Sequence, residues 1–246
     1  MFSLTDVLPA GGDLLLPAVL MAAENRWARD DDHRLAAILE QRTGGPASFF
    51  GKNAERWEEL RAEMFGTAYA LPAIAALAPS TWRVLDLGTG TGSTLAELAP
   101  SVQEVIGVDR ERAMLDAAAL RCDEFENVQL VHAGLDELPL PDNHVDAALA
   151  LLVLHHVDSV LDTLAEAHRV LKPGGRIVIL DMIAHDRGEY RQSMGHVHLG
   201  FDKPRLIESL SQTGFRQVRW RTLPADMTAK GPALFLVDAI AGVSVD

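Results

Sequence analysis

The sequence predicts an α/β fold: a mainly parallel, seven-stranded sheet preceded by a helical segment. Three observations predict it. An apolar run at residues 82–87 leads straight into Gly88-Thr89-Gly90-Thr91-Gly92, and a helical pattern starts as the glycines end. From Trp82 onward, short apolar runs alternate with helical patterns, as expected of βαβ units. The last two apolar runs, 215–222 and 233–240, follow one another with no helix between them, so they pair antiparallel.

The elements follow in order. Residues 1–80 read as helical: one helix starts at Asp30-Asp31-Asp32 and is broken by Gly44-Gly45-Pro46, a second spans about 47–65, and a third short one covers 68–77. Phe50, Trp57, Leu60 and Met64 recur on one stripe of the second. The domain division is therefore 1–80, a helical lid or dimerisation segment, and 81–246, the α/β domain. Strands are expected at 82–87, 104–108, 127–131, 145–152, 176–181, 215–222 and 233–240. Helices are expected at 93–99, 111–122, 158–171 (capped by Asp158) and 203–213. Val145 to Leu152 is almost continuously apolar, as in a strand buried on both faces.

Composition narrows the function. The chain has 246 residues, enough for one α/β domain and an accessory segment; 48% are hydrophobic and 23% charged, as in ordinary globular proteins. A net charge of -13 with scattered arginines repels phosphate backbones, so no nucleic-acid partner is expected. A single cysteine, Cys122, excludes an internal disulfide framework and fits a reducing cytoplasm. No apolar segment approaches the ~18 residues of a membrane helix, and the run 14–23 contains Pro17 and lacks a basic flank. A cytoplasmic protein without membrane contact is expected.

The glycine loop asks for a nucleotide-type ligand, because glycine lets backbone approach the ligand and the helix start offers free N–H groups. The dinucleotide fingerprint Gly-x-Gly-x-x-Gly is not met: the third glycine comes early, at Gly92, and Ser93 stands in its place. Asp86-x-Gly88-x-Gly90-x-Gly92 instead resembles motif I of the class I S-adenosylmethionine (SAM)-dependent methyltransferases. Val105-Ile106-Gly107-Val108-Asp109 resembles motif II. Leu138-Pro139-Leu140-Pro141-Asp142-Asn143-His144-Val145-Asp146 resembles the stretch leading into strand four. Arg169-Val170-Leu171-Lys172-Pro173-Gly174-Gly175-Arg176 resembles the turn before strand five. The branch most resembled is the ubiquinone/menaquinone-biosynthesis type. Within it, residues 48–61, 181–191 and 194–201 are similar to methyltransferase domains fused behind an ArsR-type winged-helix domain. About 30 residues precede the shared helical region, too few for a winged helix, so DNA reading is not expected. The resemblance implies a Rossmann-like class I methyltransferase fold, SAM as cofactor and S-adenosylhomocysteine as product.

Site residues follow from both sources. A carboxylate ending strand two suits ribose hydroxyls, and Asp109 stands there; the lesser alternative is a turn or cap aspartate before Glu111. The resemblance implies that Gly88, Thr89 and Gly90 pass under the ribose and methionine moieties and that Arg110 and Met114 flank the adenine. Asp86 neutralises the methionine ammonium or braces the loop. Where the family usually has an aspartate for the adenine amino group, Gly134-Leu135 stands here, leaving the Leu135 N–H as donor and Asp136 as the nearest carboxylate. Leu151, ending strand four, joins the cofactor set. Phe50 and Trp57 form the inner face of a lid over the open sheet, with Arg61 near the methionine carboxylate; an ordinary core stripe reads equally well for the two aromatics.

The acceptor side is expected at His155 and His156 after strand four and at His185 and His196 after strand five. A neutral imidazole can deprotonate a phenol, enol or thiol. No Asn/Asp-Pro-Pro-aromatic motif follows strand four, which argues against methylation of bases. The histidine spacings match no closed zinc pattern, so no metal is expected. The expectation is a SAM-dependent methyltransferase with a small aromatic, quinol or thiol acceptor, methylated at O, C or S. The alternatives are a SAM-responsive sensor without turnover and an NAD-dependent enzyme, the latter disfavoured by Ser93. A homodimer through the N-terminal helices fits either of the first two.

Overall fold

The computed structural model describes residues 54–66, 70–224 and 229–242. Expectations for residues 1–53, including Phe50 and the first helix, lie outside them. The chain falls into two compact units, residues 1–67 and 68–246. The described part of the first is one 3-10 turn, Ala54–Arg56, continued by helix α1, Trp57–Phe65. It ends at Gly66, whose N–H donates to the Ala62 carbonyl at 2.9 Å and whose φ of 72° suits glycine.

The second unit holds α2 (Ala70–Ala75), β1 (Arg83–Leu87), α3 (Ser93–Leu98), β2 (Glu104–Asp109), α4 (Arg112–Arg121), β3 (Val128–His132) and β4 (Val145–Leu151). It continues with α5 (Val160–Val170), β5 (Leu171–Met182), the single turn α6 (Tyr190–Ser193), α7 (Lys203–Gln212), β6 (Phe215–Thr222) and β7 (Leu234–Ala241). The strands form one seven-stranded sheet in the order β3-β2-β1-β4-β5-β7-β6. The first five are parallel; β7 runs antiparallel to both β5 and β6. The expected terminal pair is thus present, with β7 inserted between β5 and β6.

Alternation along the strands fills both faces. Val84, Val105 and Ala147 enter one core with Leu95, Ala99 and Cys122, while Leu85, Ile106 and Ala148 enter the other with Leu164, Ile177 and Phe235. Cys122 is buried in the first, which is the packing role its surroundings suggested.

Two expected boundaries move. β5 begins at Leu171 instead of residue 176, with a register break against β4 between Val145 and Ala147. Asp146 holds that break: it accepts from the Arg83 N–H at 2.9 Å and from Lys172 Nζ at 2.7 Å, and these bonds hold its carboxyl below the usual range against the opposing effect of burial. The cap of α5 is Ser159, whose hydroxyl accepts from the Asp162 N–H at 3.2 Å, not Asp158. Serine has the right reach at the residue directly before the helix, and Asp158 lies one position too early.

The crossing from β3 to β4 is fixed by Arg169. Its guanidinium donates to Glu166 and Asp142 carboxylates and to the carbonyls of Leu138 and Leu140, all within 2.9 Å. The Glu166 carboxylate also accepts from the Leu138 N–H. Such bidentate, carbonyl-capped pairing holds a segment that has no strand or helix of its own. No helix among the described residues is long and apolar enough to cross a membrane.

Candidate active site

The strand order reverses between β1 and β4: β1 leads outward to β2 and β3, whereas β4 leads the other way to β5. In an open parallel sheet the carboxyl ends of the strands at such a point leave a crevice. A cavity of about 670 Å³ lies there. Its wall comes from the ends of four strands: Gly88 and Gly90 after β1, Asp109 to Glu111 at β2, Gly134 to Asp136 after β3, and Leu152, Val153, His156 and Val157 after β4. The start of α5 and Met194 complete it.

The loop after β1 is shaped by close approach. Gly88 has φ of 66° and its α-carbon faces the Val153 side chain so closely that a Cβ would overlap it. At Gly92, φ of 74°, a Cβ would come within 2.9 Å of the Ala118 Cβ, so glycine lets α4 pack on the loop. Above Gly90 there is open space, on the cavity side. The loop is tied to β2 by the Thr89 N–H donating to the Val108 carbonyl (3.0 Å) and the Gly90 N–H to Asp109 Oδ2 (2.8 Å). Asp109 Oδ1 accepts from the Glu111 N–H at 2.8 Å. The two readings of Asp109 are compatible in one position. It is the turn aspartate before α4, and it lines the cavity with a lone pair left on each oxygen.

Asp86 and Thr89 lie behind the loop rather than on the cavity wall. Asp86 is 2% exposed and accepts from the Thr89 hydroxyl at 2.8 Å. Burial, opposed by that bond and reinforced by the Asp109 charge, pushes its pKa up to about 7. Of the two roles open to it, the structure shows the brace. Arg110, Met114, Gly134 and Leu135 line the cavity as expected. Leu151 does not; it ends β4, and its neighbour Leu152 takes the wall position with φ of 54°. Successive strand residues face opposite sides, so a shift of one residue moves the wrong side chain inward. Trp57 and Arg61 are on α1, in the other unit.

The expected acceptor-side histidines come together. His155 and His156 form a 3-10 turn after β4, and His196 follows α6 in the long connection after β5. Ring centroids are 4.1 Å apart for His155 and His156, 4.3 Å for His155 and His196, and 5.3 Å for His156 and His196. Tyr190 stacks edge-on between His196 and His185, at 5.2 and 5.6 Å. The two loops are laced by the Val197 and His198 N–H groups donating to the His155 carbonyl at 2.9 and 3.0 Å. His198 turns away to the Val157 carbonyl.

Hydrogen bonds fix two tautomers. His155 Nδ1 lies 2.8 Å from Asp181 Oδ1, with both side chains buried, and His156 Nδ1 lies 3.1 Å from the Gly195 carbonyl. Carboxylate and carbonyl oxygens accept, so each Nδ1 carries the proton and each Nε2 offers a lone pair. His156 alone of the four lines the cavity. Burial holds the pKa of His156, His185 and His196 below the ordinary histidine range.

The donor set decides what the cavity can hold. Among the described residues, five carboxylates line it (Asp109, Glu111, Asp136, Asp158 and Asp162) against one arginine, Arg110. A dinucleotide would set two phosphates among them, whereas a sulfonium and an ammonium are cations that such a wall attracts. Met114 and Leu135 give apolar surface for a base, and the backbone at Gly90 is unshielded. The residues present fit SAM.

Sheet order and cavity define a nucleoside-binding, Rossmann-like α/β fold of the methyltransferase type. The methyltransferase-domain family matches residues 85–179. The uncharacterized methyltransferase YcgJ of Bacillus subtilis (strain 168) is 32% identical over 162 residues, covering 65% of this chain and 64% of that protein. Against its crystal structure the TM-score is 0.60, at 22% identity, over 72% of this chain and 100% of that one. The demethylmenaquinone methyltransferase of Tropheryma whipplei (strain Twist) is 30% identical over 176 residues, 61% of this chain and 73% of that protein. A crystal structure of an S-adenosylmethionine-dependent methyltransferase from Mesorhizobium loti matches with a TM-score of 0.59 and 24% identity, over 69% of this chain and 96% of that one. The chain belongs to the SAM-dependent methyltransferases, and SAM is its cofactor.

Some wall residues carried no sequence signal of a site. Ser159, Asp162 and Thr163 read only as part of a helix, Val153 and Val157 had no assigned role, and Met194 entered only with the resemblance over 194–201. Asp181 read as the end of a strand, and its contact with His155 spans 26 residues.

Proposed function

We propose that the protein methylates a small molecule bearing an acidic proton, an aromatic or quinol-type compound or a thiol, at O, C or S. The observation that carries this is the split character of the cavity. One part offers Gly88, Gly90, Asp109, Gly134 and Leu135; the other offers apolar Leu152, Val153, Val157 and Met194 with a single imidazole, His156, among them. An apolar wall with one lone pair suits a planar acceptor that donates one hydrogen bond. The acidic lining supports the exclusion of nucleic acid.

Bound SAM supplies an electrophilic methyl group on sulfur. Asp109 takes the ribose hydroxyls, the Leu135 N–H meets the adenine, and the loop backbone at Gly88 to Gly90 lies along the rest. Leu152 and Met194 exclude water from the acceptor, and His156 Nε2 receives its proton as the new bond to carbon forms. His155, held by Asp181, and the His155 carbonyl, held by residues 197 and 198, keep this wall rigid. That one relative is named a demethylmenaquinone methyltransferase supports a quinol-type acceptor.

The test is a screen of phenols, quinols and thiols with tritiated SAM. His156→Ala should lower kcat about a hundredfold with SAM affinity intact. No label transfer to any acceptor, with SAM bound, would favour the sensor reading instead.

A further inference from the structure

Among the described residues, four buried side-chain polar atoms have no hydrogen-bond partner, and three of them, Asp181 Oδ2, His185 Nε2 and His196 Nδ1, belong to the histidine patch. Buried polar atoms without partners are uncommon, and three in one place mark a patch where the described residues leave polar capacity unused. Within that patch one ring nitrogen from each of His155, His156 and His196 lies within 4.8 Å of the other two. His155 and His196 are each 4% exposed.

The surroundings of these rings are those of metal ligands. A ligating histidine almost always gives its other N–H to a carboxylate or a backbone carbonyl, which fixes the ring and the tautomer. His155 gives Nδ1–H to Asp181 and His156 gives Nδ1–H to Gly195, leaving both Nε2 lone pairs. His196 adds a buried Nδ1 that no other described residue satisfies. Three nitrogens on one ion at ~2.0–2.1 Å stand roughly 3.3 Å apart, so ring rotations on the order of 1 Å close the set. The loops that carry the rings are already tied together through the His155 carbonyl. The spacing 155, 156, 196 is unlike a closed zinc motif because the third ligand arrives through the fold and not through the local sequence.

We infer that His155, His156 and His196 form a site for one divalent transition-metal ion of the zinc or cobalt type, with its open position toward the cavity that His156 lines. Three neutral imidazoles leave the ion's charge uncompensated, so an anion takes the fourth position. An acceptor O–H or S–H binding there releases its proton to solvent and keeps the electron pair that forms the new bond to the methyl carbon, while the methyl–sulfur bond of SAM breaks and its electron pair stays on sulfur, leaving S-adenosylhomocysteine. Ion and acceptor proton compete for the same His156 lone pair, so an occupied site replaces the imidazole as the activating group. This role rests on the acceptor position proposed above; binding of the ion does not.

The test is titration of the full chain, stripped with chelator, with Co²⁺ alone, followed by visible absorption and calorimetry. The expected result is one ion per chain with the intense absorption of four-coordinate cobalt, displaced by Zn²⁺. His196→Ala should lower affinity at least about tenfold, and Asp181→Asn, which replaces the carboxylate that holds the His155 ring, by about 10- to 100-fold. Because Asp181 also accepts from the Met182 N–H, His156→Ala, at the half-exposed position, gives the same answer should either buried variant fail to fold, and His144→Ala, at the opposite end of β4, should change nothing. Absence of stoichiometric binding, or binding unchanged in both cluster variants, overturns the inference. Metal binding without methyl transfer would leave it standing and refute the acceptor reading; methyl transfer without metal binding would do the reverse.

Discussion

Asp86→Asn isolates the electrostatic cost of the loop. The carboxyl is 2% exposed with a pKa of about 7 in the folded protein, against 3.8 as the ordinary value. At ~1.36 kcal/mol per unit, the buried anion costs about 4 kcal/mol of stability once it is fully ionised. The sign follows from the raised value. The folded state holds the proton more tightly, so the contribution is complete below 3.8 and is lost as pH rises through about 7. Between pH 5 and pH 8 this one group removes roughly 2.5 kcal/mol. Asparagine keeps the shape and can still accept from the Thr89 hydroxyl, but it does not titrate. Urea unfolding of the cofactor-free protein and the variant at pH 5 and pH 8 measures the difference, and comparing the two cancels every other titrating group. The stability of the natural protein relative to Asp86→Asn should fall by about that amount over the interval. A flat difference would mean that Asp86 ionises without strain and that burial is not what governs it. Saturating SAM should reduce the fall, because a cation at the loop favours the ionised carboxylate.

Other outcomes follow from the same geometry. Asp109→Ala removes the acceptor of the Gly90 N–H as well as the ribose partner, and SAM affinity by calorimetry should drop by roughly 1.5–3 kcal/mol. Gly88→Ala combines a φ of 66° with overlap on Val153, so thermal unfolding should show a loss of at least about 1 kcal/mol and SAM binding should weaken. Leu152→Gly relaxes a left-handed backbone but removes cavity wall; the unfolding midpoint should change little while the acceptor KM rises.

What could be read from the sequence was whatever depends on neighbours along the chain. A strand, its glycine loop and the next helix are contiguous, so the loop at Gly88 to Gly90 and the strand-end Asp109 could be placed from order, while the roles given to the loop and to Gly134 and Leu135 came from the family resemblance. Leu152 was missed in favour of Leu151 because strand ends blur by a residue, and each residue changes the face. The histidine cluster was named residue by residue, yet its assembly was invisible: Gly195 meets His156 across 39 positions and Asp181 meets His155 across 26. Spacing rules for metal motifs describe ligands on one local element, and these rings come from two loops about 40 positions apart that meet only in the folded chain. The start of α5 was recognised as a helix end, but nothing local told that it closes the cavity.

The cavity's five carboxylates and one arginine carry the central claim, that this crevice takes a cationic nucleoside and not a dinucleotide. Calorimetric titration of the cofactor-free protein with SAM and with NAD, under the same buffer and salt, tests it most directly. The account predicts micromolar binding of SAM, weakened in Asp109→Ala, and no heat from NAD. Measurable NAD binding, or SAM affinity indifferent to Asp109→Ala, would contradict it.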